Sequence, residues 1–368
     1  MTSGEALTGV ALERSVPRAA TSTRFLLHVH RLRAIAILCI VTVHCESMFT
    51  WQSHQILDTF LVEFFQNASV LFVFVAGFLF QHLARSYRYG NYLWKKLLNV
   101  LIPYVIVATP AIIYALYSEN PVVAHPELAG TSLAYQIGWF YLNGGATFNW
   151  ALWYVPMIAL YFLAAPLFML FESRPRLYYS LVVLIPLSLL AHRPTFTGGH
   201  NLELALYFLS SYILGMFCSQ RGEQAVKFIQ RNLRWMVALY LAILIGHTFH
   251  ASHHGLEKVS HLFSFQYGYI DWLFLQKLLL SVVLLGVLPR FNNLSLPVVD
   301  YVADVSFTIY FLHMYVLFFL LRWTHNPIGE GNVFELALLV TFVVAVSGLI
   351  AYAARRLLGR NSRLLLGS

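Results

Sequence analysis

The chain has 368 residues, of which 59% are hydrophobic and 11% are charged. Soluble domains carry about 25% charged residues, so this composition excludes an ordinary soluble protein and indicates a membrane protein. The net charge of +8 implies no nucleic-acid partner, because basic loops of a membrane protein face the anionic lipid of the inner leaflet. The three cysteines predict no disulfide framework.

Apolar segments long enough to cross a bilayer recur along nearly the whole chain. Membrane helices need about 17–25 residues, and the absence of apolar–polar alternation argues against a β-barrel. The sequence therefore predicts an all-α polytopic membrane protein with about ten transmembrane helices. The predicted spans are residues 33–50, 59–82, 97–117, 151–171, 177–191, 203–219, 235–250, 272–288, 302–321 and 334–354. Residues 132–142 could form an eleventh segment, short or re-entrant.

Lysine and arginine are distributed unevenly between alternate loops. With the N-terminus inside, twenty of the 24 basic residues fall in inner segments, and the outer segments hold only Arg193, Lys258 and Arg322. Basic residues favour the cytoplasmic side, so we predict that both termini lie inside the cell. We expect a cytoplasmic N-terminal tail over residues 1–32, a membrane domain over 33–355 and a basic cytoplasmic tail over 356–368. The expected location is the inner (plasma) membrane.

His44 lies in the middle of the first predicted span, eleven residues after Arg33. A helix rises about 1.5 Å per residue, which places His44 roughly 16 Å deeper than Arg33, near the midplane of a bilayer about 30 Å thick. An ionisable group at that depth is costly and is therefore a functional-site candidate. The imidazole could act as a general base on a hydroxyl, or it could be satisfied by an interhelical hydrogen bond. Arg33 could equally be an interface anchor.

Acidic and basic residues near the ends of the next two spans extend this candidate site. Glu63 begins the second span, where its carboxylate could reach His44 and fix the imidazole tautomer. Lys95 and Lys96 open the third span at the inner face. They could capture phosphates of a cytosolic donor, or they could be no more than the basic residues expected on that side.

Aromatic and histidine residues supply further candidates. The fourth span begins with three aromatic residues, Trp150, Trp153 and Tyr154. They could belong to the aromatic belt at the membrane interface, or they could form a platform for a sugar. His313 lies in the middle of a span, as His44 does. The outer histidines His247, His250 and His254 have the helical spacing that a metal site could use. Because few acids and no cysteine accompany them, we expect a structural or loop role and no metal.

Four segments, in this order over residues 31–355, resemble the acyltransferase-3 family of integral membrane O-acyltransferases. The first is the pair Arg33 and His44, and the second is Phe72-Val-Phe-Val-Ala76-Gly77-Phe78-Leu79. The third is Trp150-Ala-Leu-Trp153-Tyr154-Val-Pro156, and the fourth is Ser306-Phe-Thr-Ile-Tyr310-Phe-Leu-His313.

Two positions depart from the family pattern. Where the family often has Arg-x-x-Arg before a Pro-Tyr pair, this chain has Lys96 and Asn99. Lysine keeps a positive charge but lacks the two-pronged guanidinium, and Asn99 has no charge. Ala76 replaces a small hydroxyl residue of the second segment.

The resemblance implies O-acyl transfer, with acyl-CoA, typically acetyl-CoA, as a cytosolic donor substrate and no permanently bound cofactor. The donor would meet Arg33, Lys95, Lys96 and Asn99. His44, assisted by Glu63, would act as a general base or carry the acyl group itself.

The resemblance also implies an acceptor and a setting. The acceptor would be a hydroxyl of a cell-surface or lipid-linked glycan, contacted by Trp150, Trp153, Tyr154 and His313, as in polysaccharide O-acetylation of the cell envelope. The partners would then be acyl-CoA, this acceptor and membrane lipid. The competing interpretation is a transporter or exporter of glycans or lipid-linked sugars. The lack of an internal repeat counts against it.

Overall fold

The computed structural model describes residues 18–118, 125–144, 147–195, 200–250, 255–324 and 329–367. The structure is 83% helical. Within these ranges two short strands occur, β1 (Arg193–Pro194) and β2 (Lys258–Val259), which pair in parallel with Arg193 opposite Lys258.

The helices are α1 (Arg18–Glu46), α2 (Gln55–Phe65), α3 (Ser69–His82), α4 (Tyr89–Lys96), α5 (Ile102–Ser118), α6 (Leu133–Asn143), α7 (Tyr154–Leu163), α8 (Ala165–Ser173), α9 (Leu181–Ala191), α10 (Asn201–Arg221), α11 (Glu223–His250), α12 (Trp272–Val287), α13 (Pro297–Asp304), α14 (Ser306–Thr324), α15 (Val333–Leu358) and α16 (Ser362–Leu366). Shorter turns connect several of them.

Eight helical stretches in the described part of the chain are long and apolar enough to cross a membrane. A ninth candidate is the pair formed by α6 and the stretch from Phe148 to Leu163, bent by 65°, and Pro175–Ala191 is a shorter apolar helix. These observations confirm the predicted all-α polytopic membrane protein. The count of ten and the inward orientation of both termini stay predictions.

The first helix begins well before the predicted span. Residues 18–32, expected in the cytoplasmic tail, are helical and continue directly into the segment that carries Arg33 and His44. Arg31 anchors this extension, because its guanidinium bonds to Asp300 at 2.9 Å and to the carbonyl of Phe291 at 2.6 Å. Residues 1–17 of the expected tail lie outside the described residues.

Two predicted spans, 59–82 and 151–171, are interrupted, and the predicted span 97–117 begins with an irregular turn. Asn67, with a φ of 57°, separates α2 from α3. A π-helical turn over Leu97–Leu101 separates α4 from α5, and Ala164 separates α7 from α8. Single π-helical turns inside α-helices are frequently found at functional sites, and the first two breaks carry side chains that line the cavities described below.

Helices α3 and α10 pack backbone to backbone. A Cβ atom added at Gly77 would lie 2.0 Å from the carbonyl oxygen of Tyr212, and one added at Gly215 would lie 2.0 Å from that of Phe74. Small residues allow membrane helices to approach this closely. The Oγ of Ser211 also donates to the carbonyl of Val70 at 2.9 Å. This contact fixes the position of α3.

Candidate active site

His44 faces a cavity of about 230 Å³, which we call the His44 cavity. Its lining includes His44, Glu46, Asn67, Phe72, Trp150, Trp153, Tyr154, Arg193, Lys258, Phe307 and Tyr310. The hydroxyl of Tyr310 donates to the carbonyl of Ala151 at 2.5 Å. This bond joins α14 to the turn that carries Trp150 and Trp153, and so helps to hold the cavity together.

The His44 ring has aromatic neighbours and a face open to the cavity. Its centroid lies 4.6 Å from Trp150, edge to face, and 5.2 Å from His313. The residue is 8% exposed. Within the described ranges, no hydrogen bond reaches its ring nitrogens, so an interhelical hydrogen bond does not account for this histidine. A ring nitrogen with no protein partner is available to a bound molecule.

His313 lies behind His44 and not in the cavity lining. It is fully buried, and its Nδ1 lies 2.7 Å from the carbonyl oxygen of Tyr310. A carbonyl can only accept, so this contact assigns the proton to Nδ1 and the lone pair to Nε2. Nε2 has no hydrogen-bond partner among the described residues. The expected acceptor contact of His313 therefore does not fit its burial, and its contact is with the His44 ring.

Glu63 is not placed as expected. Its Oε1 accepts from the backbone N–H of Gly255 at 2.5 Å, and its Oε2 lies 3.5 Å from Nδ1 of His247. It does not line the His44 cavity. Helix α2 ends before the break at Asn67 and packs on α11, so its carboxylate turns to the donors beside that helix. The expected pairing of Glu63 with His44 is therefore corrected.

The outer histidines form a different arrangement from the one considered in the sequence. His247 pairs with Glu63, and His254 lies outside the described residues. Another trio, His200, Glu203 and His261, has its polar atoms within 4.8 Å of one another. Both imidazoles approach the same carboxylate oxygen, at 3.1 Å and 3.3 Å. Hydrogen bonds account for these distances, and the expectation of no metal stays a prediction.

A second cavity, of about 430 Å³, lies at the other end of the site, and we call it the Arg33 cavity. The four predicted donor-binding residues, Arg33, Lys95, Lys96 and Asn99, all line it. Nη2 of Arg33 donates to the carbonyl of Ala303 at 2.6 Å, and its buried Nε has no partner in the described structure.

The lysines and the asparagine differ in how firmly they are held. Lys95 is exposed, whereas Nζ of Lys96 lies 4.8 Å from the ring centroid of Phe162. Asn99 belongs to the π-helical turn. Arg88, which was not among the predicted site residues, also lines this cavity. It supplies a guanidinium to a cavity in which this chain has Lys96 and Asn99 in place of the two arginines of the family pattern.

The two cavities share a wall. Phe72, Tyr154 and Phe307 line both of them. Arg33 and His44 are eleven residues apart on the continuous helix α1, which is about three turns, so they lie on the same face. One face of one helix therefore presents a cation to one cavity and an imidazole to the other.

The predicted aromatic platform divides into two roles. Trp150 is 36% exposed, whereas Trp153 is 5% exposed because the guanidinium of Arg193 lies 4.4 Å from the centroid of its ring. Trp150 is thus open to a bound ring, while Trp153 supports Arg193.

Sequence reasoning missed Arg193 and Lys258 as cavity residues. Burial lowers the pKa of Arg193 to about 10. Partial burial, with the charge of Arg193 nearby, lowers the pKa of Lys258 to about 8. A signal was present, since both are among the only three basic residues that the sequence places in the predicted outer segments.

Comparison with protein families identifies the chain: the acyltransferase domain that defines the acyltransferase-3 family matches residues 29–352. The chain belongs to this family and is a membrane acyltransferase. Comparisons with curated proteins and with solved structures gave no match. The four segments that carried the resemblance all lie inside the matched range, which confirms it.

Proposed function

We propose that the protein transfers an acyl group, of which acetyl is the simplest, from acyl-CoA on the cytosolic side of the inner membrane to a hydroxyl of a cell-surface or lipid-linked glycan on the other side. The observation that carries this proposal is the pair of cavities that share the wall of Phe72, Tyr154 and Phe307. The Arg33 cavity holds four basic residues, and the His44 cavity holds the imidazole, which suits two substrates that arrive from opposite sides.

The Arg33 cavity suits the donor. Coenzyme A carries several phosphate charges, and charge-assisted bonds to phosphate are the strongest hydrogen bonds that a side chain makes. Arg33, Arg88, Lys95 and Lys96 supply such donors around one cavity. With the phosphates held there, the thioester arm would reach towards the shared wall and bring the acyl carbonyl to His44.

His44 supplies the base. Its ring nitrogen takes the proton from the acceptor hydroxyl as the oxygen attacks the thioester carbonyl. The C–S bond then breaks, and the coenzyme leaves as a thiol after it receives that proton. In an acyl-His relay the same nitrogen attacks the thioester carbonyl first, the C–S bond breaks and the coenzyme leaves as a thiolate. The acceptor hydroxyl then attacks the acyl group, the N–C bond breaks, and the hydroxyl proton goes to the thiolate. Both routes require one ring nitrogen of His44 that has no protein partner.

His313 is suited to position His44. Because its proton lies on Nδ1, the lone pair of Nε2 can accept the N–H of the His44 ring. That bond would leave the other nitrogen of His44 free for the acceptor, which is the role that a third residue has in catalytic triads. His313 takes the place that the sequence assigned to Glu63.

Transfer of label tests the proposal. Purified protein in liposomes would receive labelled acetyl-CoA on one side and oligosaccharides on the other. Covalent label on the sugar supports the enzyme, whereas sugar movement without label would refute it and favour an exporter. His44→Ala should lower the rate by about 10²–10⁴-fold, and a variant that keeps more than about half the activity would remove His44 from the mechanism.

Two further variants separate catalysis from folding. His54→Ala is the matched control, because His54 is exposed and lines neither of the two cavities. It should keep full activity. His313→Ala should lower kcat and leave the KM of the donor unchanged. If His313 has a purely structural role, the variant should instead have a lower thermal midpoint, and kcat should not fall separately from KM.

A further inference from the structure

We propose that the His44 cavity binds an acceptor that carries an anionic group, a phosphate or a carboxylate, and that Arg193 is the residue that recognises this group. The inference rests on the proposed function and deepens it, because it names the chemical class of the acceptor.

Arg193 is a buried cation that lines the His44 cavity. It is 5% exposed, and strand pairing sets Lys258, a second cation of the same lining, opposite it. Two basic residues of the cavity lining are thereby held side by side in the cavity that also contains His44.

Arg193 has no direct ion pair among the described residues, and the buried carboxylate of Asp271 acts on its charge only through space. Its guanidinium packs on the rings of Trp153 and Phe208, and Nη1 donates to Oδ1 of Asn67 at 3.3 Å. Its Nε has no hydrogen-bond partner, and no carboxylate lies within ion-pair distance of it among the described residues. A buried charge is costly unless it is paired.

The nearby acids are engaged elsewhere. Asp271 accepts from the hydroxyl of Tyr207 and from the N–H of Phe274, each at 2.8 Å. Glu46 lines the cavity but interacts with Asp58 and Trp51. Neither carboxylate bonds to the guanidinium directly, which leaves a direct partner for Arg193 to a molecule in the cavity.

A guanidinium binds phosphate or carboxylate through two parallel hydrogen bonds, which fixes orientation as well as affinity. Trp150, in edge contact with His44, is open to a sugar ring. An acceptor held by its anionic group at Arg193 would present a neighbouring hydroxyl to His44. Acidic sugars and sugar phosphates, including the head group of a lipid-linked sugar, satisfy this requirement.

Binding without the donor tests the inference independently of turnover. The full-length protein in detergent micelles would be titrated with glucose, glucuronate and glucose 6-phosphate, with tryptophan fluorescence as the readout. At least one anionic sugar should bind ten or more times tighter than glucose. A preference for phosphate would point to a lipid-linked sugar phosphate, and a preference for glucuronate to an acidic glycan.

Variants locate the preference. Arg193→Gln should remove it, whereas Arg322→Gln, which removes an exposed arginine outside the cavity lining, should keep it. Arg193→Lys should retain part of it. If Arg193→Gln fails to fold, Lys258→Gln supplies the second measurement and should weaken the preference about threefold.

Equal binding of all three sugars would overturn the inference, and so would an anionic preference that survives in Arg193→Gln. If Arg193→Gln does not fold, an anionic preference that is unchanged in Lys258→Gln would overturn it. Failure of the proposed function is distinguishable. Acyl transfer to neutral sugars without anionic preference refutes only the present inference, whereas selective anion binding without acyl transfer refutes only the proposed function.

Discussion

Replacing Arg33 by alanine should raise the KM of the acyl-CoA donor far more than replacing Lys95. The Arg33 guanidinium is fixed by the carbonyl of Ala303 and keeps a buried, unpartnered Nε beside its cavity. A hydrogen bond to a charged group contributes about 1.5–3 kcal/mol. Because about 1.4 kcal/mol corresponds to a factor of ten, KM should rise about 10–150-fold. Lys95 is exposed, and an exposed ion pair contributes about 0.2–1 kcal/mol, so its loss should cost about fivefold at most.

Initial rates in liposomes measure this difference. The donor is titrated at saturating acceptor, and the acceptor at saturating donor. The acceptor KM should stay constant in both variants, because a loss of uniform binding changes only the KM of the ligand concerned. Thermal unfolding controls for the lost bond to Ala303, and Arg33→Lys should fall between the wild type and Arg33→Ala. Equal effects of Arg33→Ala and Lys95→Ala, or a shift in the acceptor KM alone, would refute a donor site on the Arg33 cavity.

Two further predictions concern topology and packing. Cysteines introduced at Gly90 and Leu256 should react with a membrane-impermeant thiol reagent from opposite sides of the membrane, residue 90 from the cytoplasmic side. The background should be low, because the native Cys39, Cys45 and Cys218 are buried. Labelling of both positions from one side would contradict the predicted orientation. Gly77→Ala should lower the free energy of unfolding by about 1–3 kcal/mol, because its Cβ would lie 2.0 Å from a backbone oxygen. Gly90→Ala is the control and should leave the free energy of unfolding unchanged, because no atom lies within 4 Å of the added Cβ. Equal thermal midpoints of the two variants would show that α3 and α10 can separate at no cost.

The helices were predictable from the sequence, but the break at Asn67 was not. Long apolar runs specify helices in a bilayer because every backbone polar group must be bonded within the segment. The π-helical turn around Asn99 does have a signal, because Pro103 has no N–H to donate to the carbonyl of Asn99 and so disturbs the helix there. The break at Asn67 has neither a proline nor a glycine beside it.

The same distinction holds for the site. Arg33 and His44 could be placed on one face because a single helix fixes both. The partner of His44 could not be predicted, because the choice between Glu63 and His313 depends on how α2 is turned after the break at Asn67 and on the depth of α14. Arg193 comes from a two-residue strand far along the chain, and only its rarity as an outer arginine marked it.

The aromatic wall between the two cavities has a consequence for the energy of the cell. A membrane at 100 mV stores about 2.3 kcal/mol for each elementary charge that crosses it, and a continuous aqueous path through this protein would dissipate that gradient. Phe72, Tyr154 and Phe307 line both cavities, so any path from one cavity to the other would run along aromatic rings. An uncharged acyl group can pass such a barrier, whereas hydrated protons and the phosphates of the donor cannot. The wall would thus let the cell export a chemical group without leaking current.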